Sequence, residues 1–255
     1  MTLPPESGAQ GAAVLVAGAT SASGRAAVRA LRAAGATAIA VGSDAGRLAD
    51  AFGAPATDAG AGGAVPQHVC DLADFAATER LADEVRDRFG RVDGVIHLVG
   101  GWRGGSPFTA QSDADWDFLA RGAITTLRNT SRAFFDDIAA SPRGRFAMVS
   151  TTTLARPSAA NANYQAAKAA AEAWIRSMAQ GLALGQSQRK EDPAPQTSAA
   201  VVLAVKALLD DAMRAAAPER KFPGYTHVDA LAARAVALFS EDAAELNGAR
   251  LDLTA

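Results

Sequence analysis

The sequence predicts an α/β protein in which a doubly wound parallel sheet has helices on both faces. Short apolar runs rich in β-branched residues alternate along the chain with alanine-rich amphipathic stretches. The apolar runs do not alternate with polar residues, which is typical of strands buried on both faces of a parallel sheet. Strand and helix therefore follow one another as in βαβ units, and this order defines the fold class.

The predicted elements follow one another along most of the chain. Strands are predicted at 12–18, 36–42, 92–100, 145–151 and 199–205, and Cys70, Asp71 and Leu72 close a further strand. Helices are predicted at 24–35, 75–90, 114–138, 163–183 and 227–241, where apolar residues recur at helical spacing. Most of these helices lie between two strands, as crossover connections in parallel sheets do.

One polar segment, GQSQRKEDPAPQTS at 185–198, interrupts this pattern. It is either an interdomain linker or an insertion. The strand at 199–205 that follows it is wholly apolar and needs neighbours on both sides, so we interpret the segment as an insertion within one domain. That domain is expected to cover residues 12–255, and residues 1–11 are expected to form a flexible N-terminal tail.

Composition and charge exclude several classes of function. The 255 residues include 25 Lys and Arg against 27 Asp and Glu, which provides no basic surface for nucleic acid or an anionic membrane. The only cysteine, Cys70, rules out an internal disulfide and a thiolate metal cluster, and we expect no metal site. The N-terminal segment does not resemble a signal peptide, and no apolar run reaches the ~20 residues of a membrane helix. We therefore expect a cytoplasmic protein whose partner is a small molecule.

A tight turn joins the first strand to the first helix in the segment VLVAGATSASGRAAVRAL. Gly18 lies at the end of the strand and Gly24 at the start of the helix, with Thr20, Ser21, Ala22 and Ser23 between them. Backbone N–H groups and the positive end of the helix dipole meet in such a turn, where a pyrophosphate can bind. A purely structural reading stays open, because any tight strand-to-helix turn favours glycine and serine.

The end of the second strand bears on the choice between NAD and NADP. An acid there binds the ribose 2′-hydroxyl of NAD, whereas a small or basic residue leaves room for a 2′-phosphate. Gly42 occupies the place of the acid, and Ser43 could donate to a phosphate. Asp44 either turns back to a ribose or is a solvated turn residue. The pattern favours NADP, with NAD as the alternative.

The third strand ends in residues that suit the adenine base. The carboxylate of Asp71 can accept a hydrogen bond from the adenine amino group, and Leu72 lies beside it. An N-terminal cap of the next helix is an equally good interpretation of Asp71.

Three residues form a candidate proton-transfer group. Tyr164 and Lys168 are four positions apart in a predicted helix and therefore share one face. An ammonium beside a tyrosine favours the phenolate, although such pairs also occur by chance on surface helices. Thr151 lies thirteen residues before Tyr164 with Ser150 beside it, at the strand edge where parallel sheets bind ligands. Its hydroxyl could hold a substrate carbonyl while Tyr164 protonates it.

These motifs together resemble the short-chain dehydrogenase/reductase family over residues 12–252. The segments GATSASG, CDL, VDGVIHLVG and STTTLARPSAANANYQAAK come in the family's order and spacing. The resemblance implies a single-domain Rossmann fold, a nicotinamide nucleotide, and hydride transfer between the cofactor and a carbonyl or secondary alcohol. It implies that Tyr164 is the acid–base, that Lys168 lowers its pKa and binds the nicotinamide ribose, and that Thr151 replaces the usual serine. Val99 and Gly100 would approach the cofactor after the fourth strand.

The chain departs from the family at the nicotinamide end. The asparagine that many relatives use to hold a relay water corresponds to Ala123, and the usual Pro-Gly after the sixth strand is replaced by the residues at 206–209. His97 stands where an asparagine is usual, either as a proton carrier or, as we favour, in a packing position. Ala22 replaces the middle glycine of the first turn. Lys221, Phe222 and Tyr225 could line a substrate pocket or anchor a loop.

Two functions from different classes therefore compete. The first is an NADP-preferring oxidoreductase acting on a small organic substrate. The alternative is a non-catalytic nucleotide-binding sensor or scaffold, which the departures above favour. A transferase or hydrolase is a third possibility, but the sequence contains neither the phosphate loop nor the nucleophile elbow that such an enzyme would need.

A homodimer or homotetramer is expected, because family members pair the two long helices that correspond to 114–138 and 163–183. Both carry large apolar residues, namely Trp116, Leu119, Ile124, Trp174, Ile175 and Met178. The alternative is that these residues only cover the sheet.

Overall fold

The computed structural model describes residues 8–54, 63–188 and 191–254. Its strands are β1 (Ala13–Ala17), β2 (Thr37–Gly42), β3 (Gln67–Val69), β4 (Gly94–His97), β5 (Arg145–Thr151), β6 (Ala199–Val205), β7 (Leu208–Leu209), β8 (Thr226–His227) and β9 (Arg250–Asp252). Its helices are α1 (Ala22–Ala33), α2 (Ala45–Phe52), α3 (Phe75–Phe89), α4 (Asp113–Ala120), α5 (Thr126–Ala133), α6 (Phe135–Ala140), α7 (Ala162–Gly185), α8 (Asp211–Ala216), α9 (Val228–Ala237) and α10 (Ala243–Leu246).

In the part of the chain that the structure describes, seven strands form a parallel sheet in the order β3-β2-β1-β4-β5-β6-β9. The chain winds outward from β1 through β2 to β3, then returns and winds the other way from β4. The carboxyl ends of β1 and β4 therefore flank the point where the order reverses, which is where open α/β sheets bind ligands. The predicted fold class, a single α/β domain with a doubly wound parallel sheet, is confirmed.

Two apolar layers hold the helices on the sheet. Helices α1 and α9 pack together on one face, over a core that includes Val16, Leu31 and Leu231. Helices α3, α5 and α7 cover the other face, where Phe146 and Ile175 are fully buried. The inner strands β1 and β6 are buried on both faces, as their uninterrupted apolar sequences predict, whereas the edge strands β3 and β9 are partly exposed.

The packed domain begins at Gly8, earlier in the chain than the sequence predicts. Residues 1–7 lie outside the described part, but Gly8 to Gly11 pack on the domain. Ala9 is fully buried, and the Gly8 N–H donates to the Ser240 hydroxyl over 3.0 Å. The guanidinium of Arg143 donates to the carbonyl oxygens of Gly8 and Gln10, both over 2.9 Å. Because these long-range contacts are invisible in the sequence, the prediction of a flexible tail does not hold for residues 8–11.

The sequence predicts one continuous helix at 114–138, and this prediction is wrong because the helix is interrupted twice. A π-helical turn at Arg121–Thr125 separates α4 from α5, and Phe134 separates α5 from α6. The Thr126 hydroxyl donates to the Gly122 carbonyl over 2.7 Å, a contact of the kind that bends helices. The buried ring of Phe134 fixes the second break, with φ at −111°.

Other differences concern the ends of elements. The predicted strand at 92–100 is reduced to β4, because the residues after His97 leave the sheet to line a cavity. The polar segment at 185–198 connects α7 to β6, as an insertion would. Its anchor is the buried side chain of Gln186, which donates to the Ala139 carbonyl and accepts from the N–H groups of Thr197 and Ser198.

Candidate active site

The turn between β1 and α1 is held by its own side chains. The Ser21 hydroxyl donates to the Gly18 carbonyl over 2.9 Å and accepts from the Gly24 N–H over 3.0 Å, so Ser21 caps α1. Gly18 has φ of +79°, and a Cβ there would lie 3.0 Å from the Leu98 carbonyl. A Cβ at Gly24 would lie 2.4 Å from the Gly18 oxygen. Gly24 therefore serves the close packing of helix on strand, and the start of α1 faces the sheet edge.

A cavity of ≈ 480 Å³ lies at the carboxyl ends of β1, β2 and β4. It brings together eight of the residues that the sequence singled out, namely Gly18, Thr20, Ser21, Ser43, Asp71, Leu72, Val99 and Gly100. Ser23 lines an adjoining cavity, whereas Ala22 and Gly24 line neither. The sequence therefore predicts most of this cleft, and Gly24 acts through packing.

Two arginines at this cavity were missed by the sequence analysis. Arg47 lines the cavity from the first turn of α2, and Arg121 lines it from the π-helical turn. Asp44 caps α2 by accepting from the Arg47 N–H over 2.8 Å through one carboxylate oxygen, and it does not line the cavity. The sequence offers one indication of the position of Arg47: an acid that caps a helix places the residue three positions later in the first turn.

The carboxylate of Asp71 spans the cavity mouth. One oxygen accepts from the Ala73 N–H over 3.0 Å, and the other accepts from the Arg121 guanidinium over 2.5 Å. The N-terminal cap of α3 is Asp74, which accepts from the Ala77 N–H, so Asp71 is not that cap.

A second cavity, of ≈ 720 Å³, adjoins the first and shares Ser21, Leu98, Val99 and Gly100 with it. Thr151, Tyr164 and Lys168 all line it, and so does Ser150. The strand β5 ends at Thr151, and α7 crosses above it so that Tyr164 and Lys168 face the strand end. The three predicted proton-transfer residues are thus close to one another and beside the cleft of the glycine turn.

Neighbouring side chains hold this arrangement in place. The Gln165 amide donates to the Thr153 carbonyl over 2.8 Å and accepts from the Ser158 N–H over 2.9 Å, which ties the loop after β5 to α7. The guanidinium of Arg250 binds the buried Glu172 carboxylate over 3.1 Å and the Thr151 carbonyl over 2.7 Å. The end of β5 is therefore fixed from two sides.

The ionisation of the central residues follows from burial. Burial raises the pKa of Tyr164, and a hydrogen bond with Thr151 opposes this rise. Burial lowers the pKa of Lys168 to about 8, although the carboxylate of Glu172 acts in the other direction. The Lys168 ammonium donates to the Val149 carbonyl over 2.9 Å. The lowering of the Tyr164 pKa that the resemblance implies is not present in this geometry.

Two buried polar residues lie beneath the cavities. His97 is buried, and its Nε2 lies 3.2 Å from the Thr126 hydroxyl. Burial, together with the nearby Lys168 charge, lowers the pKa of His97 to about 3, so the ring is neutral and occupies a packing position. Among the described residues, no hydrogen-bond partner reaches the buried Ser150 hydroxyl.

The departures from the family sequence lie around Tyr164. Ala123 is buried in the π-helical turn and belongs to the apolar cluster that Tyr164 packs against. Lys206 follows β6 and lines the second cavity, as does Tyr225. Lys221 and Phe222 do not line it, and Phe222 packs edge-on against Tyr225 with ring centres 5.4 Å apart. Of the three loop residues singled out in the sequence, only Tyr225 reaches the cavity.

In residues 8–54, 63–188 and 191–254, no group of three or more His, Cys, Asp or Glu side chains is arranged to hold a metal ion. The helices in those ranges are all too short or too polar to span a bilayer.

Comparisons with known proteins agree with this geometry. Residues 12–186 match the family model described as short chain dehydrogenase. Acetoacetyl-CoA reductase from Cupriavidus necator is 28% identical over 113 residues, which cover 44% of this chain and 46% of that protein. Peroxisomal multifunctional enzyme type 2 from Mus musculus is 35% identical over 92 residues, which cover 36% of this chain and 12% of that protein. The chain thus matches less than half the length of these curated relatives.

A solved structure has the same fold. The gluconate 5-dehydrogenase from Burkholderia cenocepacia, in complex with NADP and tartrate, superposes with a TM-score of 0.72 at 22% identity and covers 96% of this chain and 94% of that one. Because the family model matches more than half of the chain, the resemblance is confirmed. The chain belongs to the short-chain dehydrogenase family, whose members are NAD(P)-dependent dehydrogenases and reductases.

Proposed function

We propose that this chain is an NADP-preferring oxidoreductase that reduces a ketone, or oxidises a secondary alcohol, on a small organic substrate. The observation that carries the proposal is the meeting of two cavities at Val99 and Gly100. One contains the glycine turn and the other contains Thr151, Tyr164 and Lys168. A nucleotide that follows the cleft would present its reactive end to Tyr164.

The residues present fit a nicotinamide dinucleotide. Gly18 and Gly100 have φ of +79° and +152°, so both lie in backbone conformations that favour glycine and leave the floor of the cleft without side chains. A Cβ at Gly100 would lie 3.5 Å from the Lys168 amine, so glycine keeps the space above this amine open. The unpaired Ser150 hydroxyl adds a buried polar group that a ligand could satisfy.

The residues at the phosphate end support NADP over NAD. Gly42 and Ser43 leave space beside the ribose position, and Arg47 adds a guanidinium to the same wall. A guanidinium suits a phosphate group, whereas Asp44 is engaged as the cap of α2. We propose that Thr20, Ser21 and the start of α1 bind the pyrophosphate, and that Asp71 and Leu72 flank the adenine.

When bound, NADPH supplies the hydride for reduction. The chain's own residues orient the substrate and move the proton. Thr151 holds the substrate oxygen by a hydrogen bond, and the neutral Tyr164 hydroxyl donates its proton to the alkoxide that develops on that oxygen. Lys168 would hold the nicotinamide ribose. Because burial raises the pKa of Tyr164, the hydroxyl stays protonated at neutral pH and suits the reducing direction.

A second candidate is a nucleotide-binding protein without turnover. Ala123 places a methyl group beside Tyr164 where a polar side chain would be needed for a water relay, and Lys206 to Leu209 replace the usual turn. We favour the enzyme because the proton-transfer residues are all present. We also propose a cytoplasmic location, since a single cysteine suits a reducing compartment.

Cofactor binding and turnover can be tested separately. Titration with NADPH and NADH, followed by nucleotide fluorescence, measures binding. A panel of ketones and secondary alcohols, followed at the nicotinamide absorbance, measures turnover. Tight NADPH binding with turnover of at least one carbonyl compound supports the proposal. Binding without any turnover favours the sensor or scaffold, and absence of binding contradicts both.

A further inference from the structure

The outer wall of the catalytic cavity contains two cations that the mechanism above does not use. Lys206 directly follows β6, and Arg220 lies in the segment between α8 and β8. Both line the same cavity as Tyr164 and Lys168. In the sequence, Lys206 is notable only as a departure from the family pattern, and no motif points to Arg220.

These two side chains both lie near one aromatic ring, that of Tyr225. The Arg220 guanidinium lies 5.9 Å from the centre of the Tyr225 ring and donates to its hydroxyl over 3.2 Å. The Lys206 ammonium lies 5.9 Å from the same centre and donates to the Pro223 carbonyl over 2.7 Å. Both cations keep further N–H groups that can donate to a ligand.

Lys206 and Tyr225 each lie close to one strand of a separate two-stranded sheet, β7-β8. Strand β7 begins two residues after Lys206, and β8 begins one residue after Tyr225. The two strands pair in parallel, with Leu208 opposite Thr226. Lys206 is therefore close to a paired strand, whereas Arg220 lies in the loop before β8 and is held there by its hydrogen bond to Tyr225.

The charge at this wall has no internal counterion. Neither Lys206 nor Arg220 forms an ion pair with any acidic side chain among the described residues. Within the same ranges, the cavity is lined by three cations, Lys168 included, and by no aspartate or glutamate. Its other walls include the apolar side chains of Trp102, Val205 and Leu208. Such a site attracts an anion, because one negative charge placed between two nearby cations is stabilised by both. A guanidinium also binds oxyanions with paired N–H groups.

We propose that Lys206 and Arg220 bind a carboxylate of the substrate, so that the enzyme acts on oxo acids or the corresponding hydroxy acids. The inference rests on the proposed oxidoreductase function and narrows its substrate class. The reacting carbonyl lies at Thr151 and Tyr164, and the carboxylate lies at the outer wall. The apolar chain between them contacts Trp102 and Leu208.

A paired substrate series tests this assignment. The substrates are 2-oxohexanoate, 4-oxohexanoate and 5-oxohexanoate, each compared with its uncharged methyl ester in NADPH-dependent reduction. A hydrogen bond to a charged group increases affinity by about 10- to 100-fold. The kcat/KM of at least one acid should therefore exceed that of its ester by a similar factor. Arg220→Met and Lys206→Met should each remove most of this preference, because the loss in kcat/KM should be much larger for the acid than for its ester.

The matched control is Lys221→Met, which removes the same charge next to Arg220 but outside the cavity. It should leave the preference for the acid intact. The same acids and esters, titrated by calorimetry into the NADP⁺-saturated protein, report binding without turnover, and the acid should again bind more tightly.

Three outcomes would overturn the inference. Equal use and equal binding of acids and esters would contradict it while the oxidoreductase stands. If Arg220→Met weakened NADPH binding by the same factor as it weakened the acid, the cations would belong to the cofactor phosphates. If neither nucleotide bound the wild type, the proposed function would fail, and this inference with it.

Discussion

The ammonium of Lys168 donates a 2.9 Å hydrogen bond to the carbonyl oxygen of Val149, two residues before the end of β5. The amine is buried, and it is held against the strand whose last residue, Thr151, bonds with Tyr164. One strand end therefore positions the hydroxyl, the phenol and the ammonium. Through these two hydrogen bonds, Tyr164 and Lys168 of α7 are both held at the end of β5.

Tyr164→Phe should reduce turnover by at least 100-fold on any carbonyl compound that the wild type reduces. The change removes the proton donor, and general acid catalysis contributes roughly 10² to 10⁴ in rate. The ring and its packing against Ala123 remain, so NADPH affinity and the midpoint of urea unfolding should change little. Steady-state kinetics and fluorescence titration of both proteins make the comparison. Full activity in the variant would place the chemistry elsewhere.

Lys168 should make NADPH binding pH-dependent on the alkaline side. Burial lowers the pKa of Lys168 to about 8, so the ammonium that we propose to bind the ribose is present below this pH and is lost above it. NADPH affinity of the wild type should therefore fall as the pH rises from about 7 to 9.5, and Lys168→Met should bind weakly at every pH without this step. Fluorescence titration across the range provides the measurement. A flat wild-type profile would contradict the assigned role.

The lowered pKa of Lys168 should affect stability in the opposite direction to NADPH affinity. Between about pH 8 and the ordinary lysine pKa, the unfolded chain holds a proton that the folded chain lacks, so the free energy of unfolding gains from this group as the pH rises. Affinity and stability should thus move in opposite directions over this window.

Much of the cleft follows from local sequence. The glycine turn, Asp71 with Leu72, and the Tyr164 to Lys168 spacing each depend on residues close in the chain, and the structure brings them together as expected. Arg121 and Arg220 were missed because their positions depend on a π-helical turn and on the pairing of two strands of two residues each. The packing of residues 8–11 likewise depends on Arg143, more than 130 positions away along the chain. Such long-range contacts leave no periodic signal in the sequence.

Arg47→Met should weaken NADPH binding by about tenfold and leave NADH binding nearly unchanged. The guanidinium lines the cleft beside Ser43, where a 2′-phosphate would lie, and a hydrogen bond to a charged group contributes roughly 1.5 to 3 kcal/mol. Arg29→Met is a matched control on the solvent side of α1, where Arg29 pairs with Asp229. Equal losses for both nucleotides, or a preference for NADH in the wild type, would contradict the proposed NADP selectivity.

Light scattering at micromolar concentration should report a homodimer or homotetramer of the 26.0 kDa chain. Leu119 and Ile175 are buried within the chain and serve the core, whereas Met178, though largely buried, lines a surface groove together with Trp174. Trp116 is 38% exposed, and Trp174 is only partly buried beside a groove of ≈ 420 Å³ on the outer face of α7. If the groove is part of the interface, Trp174→Glu should lower the measured mass. A monomeric wild type would contradict the expected assembly.

His97 should make the protein sensitive to mild acid. Burial lowers its pKa to about 3, so between about pH 6.5 and pH 3 the unfolded chain binds a proton that the folded chain does not. The free energy of unfolding should therefore fall as the pH is lowered, by about 2 kcal/mol from this residue between pH 7 and pH 5. His97→Asn keeps a hydrogen-bonding side chain beside Thr126 but cannot be protonated in this range. Its unfolding free energy at pH 7 should be lower than that of the wild type, because the smaller side chain packs less well, yet it should change less between pH 7 and pH 5. Urea unfolding of both proteins at the two pH values measures the difference, and parallel losses in wild type and variant would show that other groups cause the acid sensitivity.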